Sequence, residues 1–135
     1  MVIEKGSFMV VEKDMLKGVV PYPFEKHSNG YQRSTLVDRS LAGSVHQEIG
    51  VCELQPNGSV DFCLHAFEEG IYVLDGELEL LRDHEAFRLS QDCYALVPYA
   101  VPHAYRNRGD KVARWFEVLA PQPKPRGGWQ DTYFF

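Results

Sequence analysis

The stretch FCLHAFEEG, Phe62 to Gly70, decides how this chain is read. It sets a thiol, an imidazole and a carboxylate (Cys63, His65 and Glu69) within seven residues of an otherwise apolar run. Residues two apart on a β-strand share a face, so Asp61, Cys63 and His65 are expected to point one way and Phe62, Leu64 and Ala66 the other. A turn through Ala66–Glu68 reverses the chain, and Glu69 opens the next strand with Ile71 and Val73 on its own face. Neighbouring strands lie about 4.8 Å apart, within reach of a glutamate side chain. Sulfur at about 2.3 Å, imidazole nitrogen at about 2.0–2.1 Å and carboxylate oxygen at about 2.0–2.2 Å can then meet on one metal ion. The fourth donor has to come from elsewhere. His103, in a segment entered through Pro98 and Pro102, is the candidate.

Outward from this stretch, Gly, Pro, Asn and Asp punctuate the chain at PYP (21–23), SNG (28–30), PNG (56–58), DG (75–76) and RGD (108–110). Between them lie short runs rich in Val, Ile, Leu, Tyr and Phe: 45–54, 59–67, 70–74, 77–81, 85–89, 93–98, 101–107 and 112–120. Many short strands joined by tight turns predict an all-β sandwich or barrel. YVLDGELEL is the sharpest hairpin signal, because Asp75-Gly76 can take the positive φ values of a type I′ turn. Helical turns are expected only at KDMLK (13–17) and around Thr35–Leu41. One domain is expected. Residues 1–40 form an N-terminal arm whose strands, SFMVVE and GVVPY, have no clear partner. Residues 41–120 form the barrel, and 121–135 an extended tail of the same domain. Trp129, Tyr133, Phe134 and Phe135 carry too much apolar area for a frayed end, so the tail is expected to fold back over the barrel or dock on a second subunit.

The bulk numbers fit this picture. A chain of 135 residues can bury a real core, and 44% hydrophobic with 24% charged residues is ordinary for a globular protein. With 14 basic against 19 acidic residues the net charge is −5, the wrong sign for tracking phosphates, so no nucleic-acid partner is expected. No apolar stretch approaches the roughly 20 residues of a membrane helix, and no membrane partner is expected. The opening MVIEKGSFMVVEKD has neither the apolar run nor the cleavage site of a secretory signal. Cys52, Cys63 and Cys93 are an odd set that does not resemble a disulfide framework. The expected location is the reducing cytoplasm.

Residues 50–120 resemble the cupins, small jelly-roll β-barrels. The first cupin motif reads G, five residues, H-x-H, three or four residues, E, six residues, G. Here Gly58, Cys63-Leu64-His65, Glu69 and Gly76 follow it, with Cys63 in place of the first His and Gly58 one residue too near. The second motif reads G, five residues, P-x-G, two residues, H, three residues, N. Asp92, Pro98-Tyr99-Ala100, His103 and Asn107 match its spacing, with both glycines replaced. The resemblance implies a single-domain jelly-roll barrel in which His65, Glu69 and His103 stand at metal-ligand positions and Cys63 at the remaining one. Pro98 and Asn107 would be structural. It implies little about the reaction, since cupins include dioxygenases, decarboxylases, isomerases, hydrolases, cyclases and metal-free binders.

Cys63 is read in two ways. As a thiolate ligand it would favour softer ions such as zinc, copper or iron over manganese. As a small buried hydrophobe it would leave His65, Glu69 and His103, the composition of a non-heme iron triad. The expected cofactor is one divalent transition metal ion: Fe, Zn, Ni, Cu or Mn. Tyr105 shares a face with His103 and Asn107 and is a candidate catalytic acid. His46, on a face with Glu48, is a candidate base or replacement ligand if that face looks inward. His27 and His84 receive no role. Ile71, Val73, Leu78 and Leu80 would line a mostly apolar pocket, and no Arg or Lys pair is seen to point into it. The expectation is a mononuclear metal-dependent enzyme acting on a small, partly apolar or aromatic substrate, either a dioxygenase or a Lewis-acid isomerase, lyase or cyclase. The alternatives are a metal-independent dehydratase or isomerase with a pocket His as base, and a non-catalytic ligand-binding cupin. An open sheet edge needs cover, so a homodimer is expected.

Overall fold

The β-branched and aromatic runs do fold as strands in the computed structural model, which describes residues 9–40, 44, 46–123 and 131–135. In chain order they are β1 Ser28–Val37, β2 Glu48–His65, β3 Glu68–Asp75, β4 Leu78–Arg82, β5 Glu85–Leu89, β6 Tyr94–Val97, β7 His103–Arg106, β8 Ala113–Ala120 and β9 Thr132–Phe134. Short 3-10 turns at Lys13–Met15 and Tyr22–Phe24 are the helical elements among the described residues. The first coincides with KDMLK. Thr35 to Val37 finish β1 instead of turning into a helix, and Leu41 lies outside the described residues. Of the two expected N-terminal strands, GVVPY contributes one isolated bridge, Val19 to Arg33. Ser7 and Phe8 lie outside the described residues, and Met9 to Glu12 are not in a strand.

The hydrogen-bonded order is β5-β4-β7-β2-β8-β3-β6, with β1 and β9 also joined to β2. β2 is the spine. Its first part pairs with β8 from Glu48↔Leu119 to Leu54↔Ala113, and its last part pairs with β7 and β9. Such a strand must bend between partners, and the expected PNG turn is where it does so. Asn57 takes φ 64°, and Asn107 clamps the bend by accepting from the Asn57 N–H (2.9 Å) and donating its own N–H to Gly58 O (3.1 Å). A Cβ on Gly58 would fall 2.7 Å from Gln55 O, so this corner needs the glycine.

Two local expectations fail for one reason. Asp75-Gly76 does not close a hairpin, because β3 pairs with β6 and β8 while β4 pairs with β5 and β7. Only Gly76 (φ 71°) has the positive φ that a type I′ turn needs twice. The dipeptide is a crossing corner that lets β3 and β4 bury Ile71, Val73, Leu78 and Leu80 from separate parts of the sheet. The real hairpin joins β4 to β5 across Asp83-His84. Likewise Asp61 does not share the face of Cys63. Val60 pairs with Tyr105 and Cys63 with His103, so β2 spends one residue more than β7 here. That bulge flips the parity of the strand. Asp61 turns to solvent beside His27 (3.6 Å), while Val60, Cys63 and His65 all stay inside.

The core is continuous. Leu54, Val60, Ile71, Val73, Leu78 and Trp115 are at most 1% exposed, and each such side chain stabilises the fold by roughly 1.5–3 kcal/mol. The residues expected to line a pocket, Ile71, Val73, Leu78 and Leu80, are close-packed members of it. The aromatic tail does fold back. β9 pairs Cys63↔Phe134 and His65↔Thr132, and the Phe134 ring stacks on His27 with centroids 4.2 Å apart. Trp129 lies outside the described residues. Among the described residues no helix is long and apolar enough to cross a membrane.

Candidate metal centre and its neighbours

The strand pairing brings the expected ligands together. Cys63 and His103 are cross-strand partners on β2 and β7, and His65 lies two residues further along the same inner face. Glu69 enters from β3, inside the barrel and 2% exposed. Cys63, His65 and His103 each present an atom within 4.8 Å of the others, with Cys63 Sγ 3.8 Å from His65 Nε2. Glu69 Oε2 stands 3.2 Å from both His65 Nε2 and His103 Nε2. Donor atoms bound at about 2.0–2.3 Å around one tetrahedral ion would be separated by roughly 3.3–3.8 Å, close to the Cys63–His65 and Glu69–imidazole separations here.

The imidazoles are aimed from behind. His103 Nδ1 donates to Val101 O (2.8 Å), and His65 Nδ1 meets Thr132 Oγ1 (2.9 Å) on the returning tail. Each contact leaves Nε2 as the inward atom, the arrangement that supporting partners impose on metal-binding histidines. His65 also stacks on Phe67, with centroids 4.6 Å apart. Ala100 N–H donates to His65 O (2.9 Å), tying the β6–β7 loop to β2. Asp92 (φ 68°) and Ala100 (φ 60°), which stand where the motif has glycine, nevertheless adopt the left-handed conformation the glycines would take. Thus the motif's backbone survives its substitutions.

The electrostatics follow from burial. Burial pushes the Glu69 carboxyl up, but hydrogen bonds and charge from His103 and His65 outweigh it and hold the group well below the usual range. Burial pulls His103 down, and its hydrogen bond to and attraction by Glu69 raise it above the usual value. Both ring nitrogens of His103 face acceptors, which favours its protonated form. Burial, with Glu69 and Glu117 nearby, pushes the Cys63 thiol far up. A bound ion would take the place of the Nε2 proton and deprotonate the thiol.

Tyr105 is also brought to the centre. Its hydroxyl donates to Glu69 Oε1 (2.5 Å), turning Oε2 toward the two imidazoles, and burial raises its own pKa. His46 is not brought there. It precedes β2, is exposed, and its carbonyl accepts from the Gln122 N–H.

Sequence reasoning missed a second buried polar group. Arg33 on β1 points inward at 7% exposure, donating from Nε to Glu117 Oε1 (3.1 Å) and from Nη1 to Glu48 Oε2 (2.6 Å) and Thr35 Oγ1 (3.0 Å). Glu117 is 5% exposed. Burial and the neighbouring Glu69 carboxylate push its carboxyl up to about 8, against the pull of Arg33. Cys52 Sγ lies 3.5 Å from Glu117 Oε2 and 3.6 Å from Tyr31 OH. The signal for Glu117 was present, because it alternates with Ala113, Trp115 and Leu119 on one face of β8. Arg33 had none, since its segment was not read as a strand.

This fold and this arrangement of imidazoles, carboxylate and thiol inside a β-barrel are those of a cupin. The family profile described as "Cupin domain" matches residues 50–119, and the chain belongs to that family. It is 34% identical over 100 residues to the polyketide synthase CurC of Streptomyces cyaneus, covering 73% of this chain and 65% of that protein. The tetracenomycin polyketide synthase protein TcmJ of Streptomyces glaucescens is 31% identical over 108 residues, 78% of this chain and 72% of TcmJ. Among solved structures, the polyketide cyclase RemF from Streptomyces resistomycificus superposes with a TM-score of 0.78 over 93% of this chain and 88% of RemF. At 20% identity that likeness speaks for the jelly-roll fold alone.

Proposed function

We propose that this cupin is a mononuclear metal-dependent enzyme of the Lewis-acid cyclase or isomerase type, acting on a small, oxygenated, partly aromatic substrate. The observation that carries the proposal is the convergence of His65 Nε2, His103 Nε2 and Cys63 Sγ, with Glu69 Oε2 3.2 Å from both rings. His65, His103 and Glu69 would hold the ion, with Cys63 as fourth donor. A divalent ion there supplies polarisation of a keto or phenolic oxygen. Val101 O and Thr132 Oγ1 keep the ligand rings from rotating, and Tyr105 keeps Glu69 turned toward them. The surrounding apolar core excludes bulk water. The relatives called polyketide synthase proteins support a polyketide-like substrate.

One observation supports a second reading. Glu69 Oε2 lies 3.2 Å from His103 Nε2 and favours the protonated ring, so the cluster can also act as a metal-independent acid–base pair. Metal analysis separates the two. Protein purified without chelator is expected to carry about one equivalent of a transition metal. Cys63→Ala is expected to lower zinc affinity by at least ten-fold while leaving the stoichiometry near one. A content below a tenth of an equivalent that reconstitution does not raise would sink the metalloenzyme and leave the acid–base reading.

A further inference from the structure

The two imidazoles of the metal centre are held by supports of different reach. His103 Nδ1 donates to Val101 O, two residues back on its own segment. His65 Nδ1 meets Thr132 Oγ1 (2.9 Å), which lies 67 positions away on β9. Stacking on Phe67 at 8° fixes the plane of the His65 ring. It does not fix which edge of the ring looks inward, because a half-turn about Cβ–Cγ keeps the plane and puts Cε1 where Nε2 was. The Thr132 hydroxyl makes that choice. Both side chains are buried, His65 at 4% and Thr132 at 9% exposure, so an Nδ1–H that lost this partner would be left unpaired.

The backbone around His65 leans on the same strand. Pairing of β2 with β8 ends at Leu54↔Ala113, and pairing with β7 ends at Cys63↔His103. Among the described residues β9 is the strand that carries on, through Leu64↔Tyr133 to His65↔Thr132. Beyond the ladder, Ala66 N–H donates to Asp131 O (2.7 Å) and Phe135 N–H to Phe62 O (3.2 Å). Directly opposed residues of an antiparallel pair share a face, so Thr132 and Phe134 look the same way as His65 and Cys63. Phe134 is the anchor. Its ring stacks on His27 (4.2 Å, 9°) and meets Phe24 edge-on (5.2 Å, 89°). A three-residue strand paired with β2 opens at far lower cost than the barrel it lies on.

We infer that β9 is a latch on the metal centre, with Thr132 the positioning residue that turns His65 Nε2 toward the ion. The inference rests on the metal reading above and adds how that site is regulated. With Nε2 on an ion, the ring proton sits on Nδ1 and is donated to Thr132 Oγ1. A docked β9 therefore favours the metal-binding ring, and by linkage metal binding holds β9 down by the same factor. Opening of β9 loosens the ion through His65, while His103 keeps its own local support.

The test measures both sides of this linkage on the full chain. Zinc affinity is read by competition with a chromophoric chelator. Opening of β9 is read by hydrogen exchange of residues 131–135 with and without zinc, and thermal melts of metal-free protein control for folding. In the wild type, zinc is expected to slow that exchange about ten-fold or more. Thr132→Val keeps the shape and loses the hydroxyl, so it should weaken zinc binding by about 10–100-fold and erase the protection of β9. Thr132→Ser keeps the hydroxyl and should restore both. Phe134→Ala should speed exchange of β9 in the metal-free protein and weaken zinc binding as well. A Thr132→Val protein that melts lower yet binds zinc as tightly as wild type would make Thr132 merely structural and overturn the latch. Equal exchange of β9 with and without zinc, a measurement that needs no variant, would overturn it too. Wild-type protein that takes up no zinc overturns the metal reading and the latch together, whereas normal uptake with either earlier result overturns the latch alone.

Discussion

The barrel encloses two buried polar clusters that meet at Glu69 and Glu117, and they are built in opposite ways. In the first, Cys63, His65, His103 and Glu69 bring ligand-type atoms close together, a set that would suit a cation. In the second, Arg33 donates to Glu48 and to Glu117, whose carboxyl burial raises to about 8, and the Nη2 N–H is what they leave over. Charge count does not tell these clusters apart. What distinguishes them is whether the spare atoms accept or donate. The lesson is that a buried charged group serves as scaffold where its partners are complete, and as a ligand site only through the atoms left over.

The sharpest way to break this contrast is a crossed pair of substitutions. Arg33→Met leaves the Glu48 carboxylate and the Glu117 carboxyl without the guanidinium that bridges them and should cost about 3–5 kcal/mol in denaturant melts, while metal content stays near one equivalent. His103→Gln should weaken zinc binding by more than about 100-fold and cost less stability than Arg33→Met. If Arg33→Met empties the metal centre, or His103→Gln unfolds the protein, the division between scaffold and ligand set is wrong.

The next effect is on pH. In the folded protein Glu117 keeps its proton up to about 8, whereas the unfolded chain loses it near the ordinary carboxylate value. The folded state thus binds the extra proton between those values, and stability falls as pH rises through that window. His103, also raised, adds stability below its unfolded value that is lost on the same climb. Glu69, depressed, contributes its change only at acid pH. The melting temperature of metal-free protein should therefore drop from pH 6 to pH 9, and Glu117→Gln should flatten part of the drop. A rise across that range would contradict the assignment.

The smallest effect belongs to the motif's backbone. Ala100 sits at φ 60° in the loop that supports His65, a conformation that costs a non-glycine residue about 1–2 kcal/mol. Ala100→Gly should recover about 1 kcal/mol of it in denaturant melts without changing metal content. No gain would mean that the loop carries no strain there.

Much of the first cluster was legible in the chain. His65, Glu69 and His103 stand at fixed spacings from glycines, prolines and an asparagine, and such spacing survives translation into strands and turns. The second cluster was not. Arg33 lies in a segment with no strong periodicity, and its inward turn exists because β1 finds β2 and because Gly50 leaves it room. Glu117 alternates with apolar residues and was open to the same reasoning, but a lone carboxylate on an inner face gains a meaning only when its partner is known. Asp75-Gly76 shows the same limit from the turn side. Its chemistry fits a hairpin, and the pairing of β3 and β4 with other strands makes it a corner.

The amino-acid order alone pointed to an all-β chain with a two-part constellation of candidate metal-ligand residues, because hydrophobic alternation and motif spacing are local properties. It could not show which face each strand turns inward, since one bulge between Val60 and Cys63 reverses that parity. Only the tertiary structure joined β1 and β9 to β2, put Thr132 behind His65 and set Arg33 against Glu117. Those contacts link residues tens of positions apart, and it is the closing of the sheet on itself, not any preference within a segment, that selects them.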